Sequence, residues 1–232
     1  MPAPALPLVW LFDIDGTLLL TQGAGRDAMS LALRDQFGVE DDLKGVAFRG
    51  RTDLVILQDI CERHGLAFRD GELARFLDRV THHMRVLMDP PRGGLLPGVA
   101  ALLDALSAEP GSVRALLTGN VSEMARIKLS AFGVYERFAW GAFGEEAPDR
   151  DALARLAVRR AAERHGVAPE RCIVVGDTEL DIACARAAGA RVVAVATGGL
   201  TRDELAAHGP DLVLDNLTDA RPIWDWTARA FA

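Results

Sequence analysis

Residues 8–18 read Leu8-Val9-Trp10-Leu11-Phe12-Asp13-Ile14-Asp15-Gly16-Thr17-Leu18. The first five are apolar, include β-branched and aromatic members, and end at an aspartate. Such an uninterrupted run predicts a strand buried on both faces, as in the middle of a parallel sheet. A carboxylate at the carboxyl end of that strand stands where open α/β sheets place their ligands. Asp15 follows two residues later, and Gly16 allows a sharp turn and a close backbone approach. One aspartate here would read as a turn or a helix cap. The pair, followed by Gly-Thr, points to chemistry.

Outward from this stretch, three more runs read as buried strands: Val113 to Leu117, Cys172 to Val175 and Arg191 to Val195. Asp211 to Leu214 is a weaker fifth, and Phe138-Ala139-Trp140 is a candidate short sixth. Helical spacing fills the gaps at Ser122 to Phe132, Asp151 to His165 and Glu179 to Ala188, each stopping at a glycine: Gly133, Gly166 and Gly189. Strands alternating with helices imply a parallel α/β sheet with helices on both faces.

Between about Gly23 and Met88 the alternation breaks. Amphipathic helices are expected at Arg26 to Phe37, Thr52 to His64 and Gly71 to Met88, closed by Pro90-Pro91-Arg92-Gly93-Gly94. We read residues 1–20 and 95–232 as the α/β core and residues 21–94 as an inserted helical domain. Both ends of the insertion leave the core at one place, so it should sit over one end of the sheet.

The 232 residues suffice for a core domain plus a smaller insertion without disulfide or zinc staples. Acidic residues (33) outnumber Lys plus Arg (26), which argues against non-specific nucleic-acid binding but leaves room for a small anionic substrate. Cys61, Cys172 and Cys184 form no CxxC pair, which suggests a reducing compartment. The start carries three prolines and no basic residue, and the apolar run after it is too short for a signal peptide or a membrane span. The expectation is a cytoplasmic protein that binds neither membrane nor nucleic acid, either monomer or homodimer.

Two further clusters follow core strands. Thr118-Gly119-Asn120 precedes a helix, and a hydroxyl with backbone N–H groups at a helix start forms a natural phosphate site. Gly176-Asp177-Thr178-Glu179-Leu180-Asp181 also enters a helix. Asp177 should stand beside Asp13 and Asp15 if the strands are neighbours. Asp181, four residues on, returns to the same face. Clustered carboxylates repel one another unless a cation joins them, and oxygen ligands of this kind suit Mg²⁺.

The trio Leu11-Phe12-Asp13-Ile14-Asp15-Gly16-Thr17-Leu18, Leu116-Leu117-Thr118-Gly119-Asn120 and Val174-Val175-Gly176-Asp177-Thr178-Glu179-Leu180-Asp181 resembles the haloacid dehalogenase-like superfamily of hydrolases. The helical insertion after the first motif looks like the cap of its phosphoglycolate phosphatase and β-phosphoglucomutase branch. The resemblance implies a Rossmann-like core with a helical cap and a metal-dependent phosphatase acting on a small phosphorylated metabolite. In it Asp13 is the nucleophile and Asp15 the general acid and base. Mg²⁺ is held by Asp13, the backbone carbonyl of Asp15 and Asp177, with Asp181 as an outer partner or occasional ligand. Thr118, Gly119 and Asn120 hold phosphoryl oxygens.

One departure stands out. The family's usual lysine before the last motif is missing from Gly144-Glu145-Glu146-Ala147-Pro148-Asp149-Arg150-Asp151. Arg150, favoured by location, and Lys128 are the two substitutes. Lys128 sits about two turns into its helix, on the order of 10–12 Å from the start, farther than its side chain spans. In the cap, Phe48-Arg49-Gly50-Arg51-Thr52-Asp53 offers Arg49 or Arg51 to a substrate carboxylate or second phosphate, or else exposed arginines beside a Thr52 helix cap. Adjacent His82 and His83 point to different helix faces and cannot both serve one metal. Trp224 and Trp226 read as packing aromatics. A phosphomutase, with a cap that keeps water out, is the in-family alternative. A dehalogenase needs no acid at Asp15, and a phosphonate hydrolase would need a cap lysine, for which Lys44 is the candidate. A receiver-like phosphate-binding protein would lack both Asp15 and the insertion.

Overall fold

The computed structural model describes residues 7–69 and 71–231. The proline-rich start, residues 1–6, lies outside them. β1 (Leu8–Phe12) is the strand expected from the apolar run. It pairs in parallel with β4 (Ser112–Leu117) on one side and β6 (Cys172–Gly176) on the other. β7 (Arg191–Val195) and β8 (Leu212–Leu214) extend the sheet beyond β6, and β5 (Gly141–Ala142) closes the other edge, in the order β5-β4-β1-β6-β7-β8. All five pairings are parallel, so every strand delivers its carboxyl end to the same edge. Asp13, Thr118 and Asp177 immediately follow three adjacent strands and meet there.

The candidate sixth strand is displaced. Phe138 to Trp140 is not the strand itself, although Ala139 N–H donates to Arg114 O and Leu116 N–H to Trp140 O. The segment only runs up to β4, because its aromatics are taken by tertiary packing. Phe138 sits edge-on to Phe12, and Trp140 stacks on His165.

Side chains alternate across the sheet, as strand geometry requires. Val9, Leu11, Val174 and Val192 pack against Leu153 and Ala157 of α6 (Arg150–His165) and Ile182 and Ala185 of α7 (Glu179–Ala187). Trp10, Phe12, Ile173, Val175 and Val193 pack on the other face. They meet Leu102 and Leu106 of α4 (Val99–Ala108), Ala125 and Leu129 of α5 (Ser122–Ala131), and Ile223 of the last helix (Arg221–Ala230). Each fully buried aliphatic side chain here stabilises the fold by roughly 1.5–3 kcal/mol relative to exposure. Trp224 meets Trp10 edge-on and Trp226 meets Phe231, so both are packing aromatics.

Between β1 and α4 the chain forms α1 (Ala24–Phe37), α2 (Asp53–His64) and α3 (Glu72–Leu87). Their apolar faces share a separate cluster built on Met29, Leu33, Ile60, Phe76 and Met84. Val121, Met124 and Ile127 of the α5 region join it, so this block rests on α5. Its entry and exit strands, β2 (Leu19–Leu20) and β3 (Gly94–Leu95), pair antiparallel. No described helix is long and apolar enough to cross a membrane.

Candidate active site

At the tip of β1, Gly16 adopts φ 84°, a left-handed conformation that side chains disfavour, and a Cβ there would stand 2.5 Å from Asp177 Oδ2. The Asp-x-Asp-Gly turn can therefore pass directly beside the tip of β6. Gly198 serves the same place from after β7, since a Cβ there would meet Asp177 Oδ2 at 1.6 Å. Thr17 Oγ1 donates to Asp177 Oδ1 at 2.8 Å, while Asp177 Oδ2 is buried with no hydrogen-bond partner.

Asp13, Asp177 and Asp181 are buried, and one ligand oxygen from each lies within 4.8 Å of the others. Burial, opposed by the attraction of Arg150 and aided by repulsion from Asp181 and Asp15, pushes the Asp13 carboxyl up to about 7. Burial, then Asp181 and Asp13, pushes Asp177 up to about 8. Both values show carboxylates packed more tightly than their charge favours, the situation a divalent cation relieves. Asp177 Oδ2, unpartnered between two glycines, is an oxygen free to ligate. These residues thus fit Mg²⁺, which takes hard oxygen donors and keeps several waters. Asp181 is otherwise engaged. Its Oδ2 accepts from Thr178 N–H and Oγ1 in the cap of α7, and its Oδ1 accepts from Arg150.

Both substitutes for the missing lysine are in the site. Asp149, whose carboxylate accepts from Ala152 N–H, starts α6 and so places Arg150 facing the acids. The Arg150 Nη2 atom touches Asp181 Oδ1 and lies 3.2 Å from Asp13 Oδ1. Burial works against its charge, but Asp181 and Asp13 hold it protonated well above the usual guanidinium value. Lys128 corrects the expectation from helix rise. Its Nζ lies 2.6 Å from Asp15 Oδ2 and 2.6 Å from Asn120 Oδ1. Length along the helix axis was the wrong measure, because α5 lays this face across the tip of β1 and the stem points sideways into the site.

Asp15 therefore turns away from the acidic trio. Its Oδ2 accepts from Lys128 Nζ and from Asn120 Nδ2, the latter at 2.8 Å. Asn120 also donates to Thr118 Oγ1 at 2.9 Å, so one amide links the tips of β1 and β4 with α5. Thr118 is fully buried, one layer behind Gly119 and Asn120, which line the cavity.

That cavity, about 480 Å³, lies between the strand tips and the helical block. Asp13, Asp15, Asp177, Arg150 and Lys128 line it from the core, and Arg26, Phe48, Arg49 and Arg51 from the helical block. Arg51 is not free as expected: its guanidinium binds both carboxylate oxygens of Asp59 in the middle of α2. Arg49 is exposed at the rim and makes no ion pair with a described residue. Lys44 is paired with Asp42 on the surface, and His83 with Asp35, both away from the acidic trio.

Sequence reading missed two residues. Asp53 is buried, its N–H donates to Gly119 O at 2.8 Å, and its Oδ2 accepts from Val121 N–H at 2.8 Å. It fastens the start of α2 to the loop after β4. At Gly119 a Cβ would meet Arg51 O at 2.3 Å, so this glycine admits the close approach. In sequence, Asp53 looks like any acidic residue in a first helical turn. Arg26 looks like a solvated residue of an amphipathic helix, and nothing local marks it as facing a cavity.

A HAD-hydrolase-like family model matches residues 152–220. Phosphoglycolate phosphatase 1 of Pseudomonas aeruginosa is 30% identical over 238 aligned positions, covering 97% of this chain and 83% of the relative. A phosphoglycolate phosphatase of Xylella fastidiosa is 34% identical over 189 positions, covering 80% of this chain and 78% of the relative. The crystal structure of a predicted phosphoglycolate phosphatase from Haemophilus somnus superposes with a TM-score of 0.74 at 23% identity, covering 94% of this chain and 98% of that one. The chain belongs to the haloacid dehalogenase-like superfamily of hydrolases, in its phosphoglycolate phosphatase-like branch. It is a phosphatase of that family.

Proposed function

We propose that the chain hydrolyses a small organic phosphomonoester, phosphoglycolate-like in size, through an aspartyl-phosphate on Asp13, with Mg²⁺ as cofactor. The observation that carries this reading is the division of labour between two carboxylates on one turn. Asp13 faces the buried acidic cluster, whereas Asp15 is held apart from it by Lys128 and Asn120. A receiver-like binding protein has no use for the second carboxylate.

Asp13 and Asp177, with the backbone carbonyl of Asp15, would hold Mg²⁺, which supplies charge neutralisation around the phosphoryl oxygens. An Asp13 oxygen attacks phosphorus, the ester P–O bond breaks, and Asp15 gives its proton to the departing alkoxide. Asp15 then takes a proton from water as that water attacks phosphorus. The bond to Asp13 breaks, inorganic phosphate leaves, and Asp15 is protonated again. Such proton transfer contributes roughly 10²–10⁴-fold. Arg150 keeps Asp13 oriented through their ion contact, and the Gly119 N–H stands just before α5 for the phosphoryl oxygens, while the Asn120 N–H donates to Thr118 Oγ1. Residues 21–94 act as the cap, closing the cavity over the strand tips and excluding bulk water. Phosphate release from phosphoglycolate and from an aryl phosphate, with Mg²⁺ and with chelator, tests the reading. Turnover that needs no divalent cation, or none in folded protein, would contradict it.

A further inference from the structure

The amides of the loop between β4 and α5 are assigned one by one. Asn120 N–H donates to Thr118 Oγ1 at 3.2 Å. Val121 N–H donates to Asp53 Oδ2 at 2.8 Å. Ser122 N–H donates to the Glu145 carboxylate at 2.9 Å. Among the described residues none accepts from the buried Gly119 N–H. The chain thus satisfies the orphan donors of this helix start except one, and that one faces the cavity. Val121, the residue at the head of α5, has no side-chain acceptor to give. The acceptors come from outside the helix: Glu145 from the short turn Gly144–Glu146 after β5, and Asp53 from the helical block.

Asp53 is not needed by its own helix. Thr52 caps α2, its Oγ1 accepting from Val55 N–H at 3.3 Å. The Asp53 carboxylate stands instead at the starts of two helices, α2 and α5, and both starts favour negative charge. Its backbone N–H also donates to Gly119 O at 2.8 Å. Asp53 therefore grips the loop on either side of Asn120, by the Gly119 carbonyl and the Val121 N–H. From the opposite side Gly144 N–H donates to Asn120 O at 2.8 Å. We propose that Asp53 is a positioning residue for phosphoryl binding: through it the seated helical block sets the orientation in which Gly119 N–H meets the phosphoryl group. A block lifted off the strand tips would take both bonds with it and leave a donor and an acceptor of the loop unsatisfied. Seating of the block and occupancy of the phosphoryl site are then linked, each favouring the other. This inference rests on the phosphatase reading of the loop and adds the residue of the block that holds it.

Calorimetry with inorganic phosphate in saturating Mg²⁺, and with Mg²⁺ alone, tests this without turnover. Asp53→Ala, checked for native circular dichroism, should bind phosphate about tenfold or more weakly than the wild type, the loss expected when a hydrogen bond to a charged group goes. Its affinity for Mg²⁺ alone should stay within about twofold, because the acidic trio is untouched. Asp53→Asn keeps an acceptor for Val121 N–H and should bind phosphate within about threefold of the wild type. Asp53→Ser takes the place of the alanine variant if that one does not fold. A folded Asp53→Ala or Asp53→Ser with wild-type phosphate affinity overturns the inference. An equal loss of phosphate and Mg²⁺ affinity, as general loosening of the site would give, overturns it too, and so does an Asp53→Asn as impaired as the alanine variant. A wild-type chain that binds no phosphate in Mg²⁺ contradicts the phosphatase reading and the inference together, whereas the other adverse results strike the inference alone.

Discussion

Lys128 Nζ and Asp15 Oδ2, 113 residues apart in the chain, lie 2.6 Å apart in the fold, with Asn120 bonded to both side chains. This contact holds one oxygen of Asp15 on the α5 side. Among the described residues nothing hydrogen-bonds its other oxygen, which is left for proton transfer at the cavity. A residue acting through Asp15 should matter most where the leaving group needs a proton.

Lys128→Ala should accordingly lower kcat for an alkyl phosphate at least about tenfold, about 1.4 kcal/mol of barrier. The loss for an aryl phosphate, whose leaving group is more acidic, should be smaller. Steady-state kinetics on the two substrates reads this directly. Equal losses on both would mean that Lys128 does not work through Asp15.

Arg150→Ala removes a cation in contact with both Asp13 and Asp181. Breaking a buried ion cluster by deleting one partner costs about 3–5 kcal/mol. The variant should melt at a lower temperature than the wild type in chelator and should turn over at least about tenfold more slowly. Mg²⁺ should recover more of its lost stability than it adds to the wild type, because more acidic repulsion is then left to relieve. Thermal melts with chelator and with Mg²⁺ measure both effects.

Asp177→Asn should abolish the rise in melting temperature that saturating Mg²⁺ gives the wild type. A ligand bound only by the folded state stabilises it by mass action, about 2.7 kcal/mol at a hundred times its dissociation constant. A Mg²⁺-dependent shift of wild-type size in the folded variant would remove Asp177 from the metal site.

Asp53 gives a pH signature separate from the acidic trio. Burial raises its carboxyl from 3.8 to about 6, against the pull of Lys128 and the Val121 N–H and with the push of Asp15 and Glu145. A raised folded-state value means the native protein holds a proton that the unfolded chain has already lost. Stability from this group is full below about pH 4 and falls as pH rises through about 6, by on the order of 3 kcal/mol. Asp53→Asn keeps an acceptor for Val121 N–H but carries no charge. Denaturant titrations across that range should show a smaller decline for the variant and greater stability than the wild type at neutral pH. Asp53→Ala loses the acceptor and should be less stable than Asp53→Asn throughout.

The sheet was legible because its strands are buried on both faces and so appear as unbroken apolar runs. Asp13, Thr118 and Asp177 were legible because they end such runs. The short edge strand was misplaced by a few residues, since Gly141–Ala142 carries no hydrophobic signal and Phe138 and Trp140 beside it do. The reach of Lys128 depends on how α5 crosses the strand tips, a tertiary fact with no local trace. The pairing of Arg51 with Asp59 rather than with a ligand, and the exposure of Arg26 to the cavity, are set by how α1 and α2 pack. Sequence spacing names the arginines of the helical block but does not say which are already neutralised.

The central claim is a phosphoryl group carried by Asp13. Rapid acid quench during turnover, borohydride reduction of the acyl phosphate and peptide mass spectrometry locate any such intermediate. The account predicts an aspartate reduced to the alcohol at position 13, absent without Mg²⁺ and absent in Asp13→Asn, which should also be inactive though folded. Efficient hydrolysis by Asp13→Asn, or a reduced residue elsewhere in the chain, would contradict it.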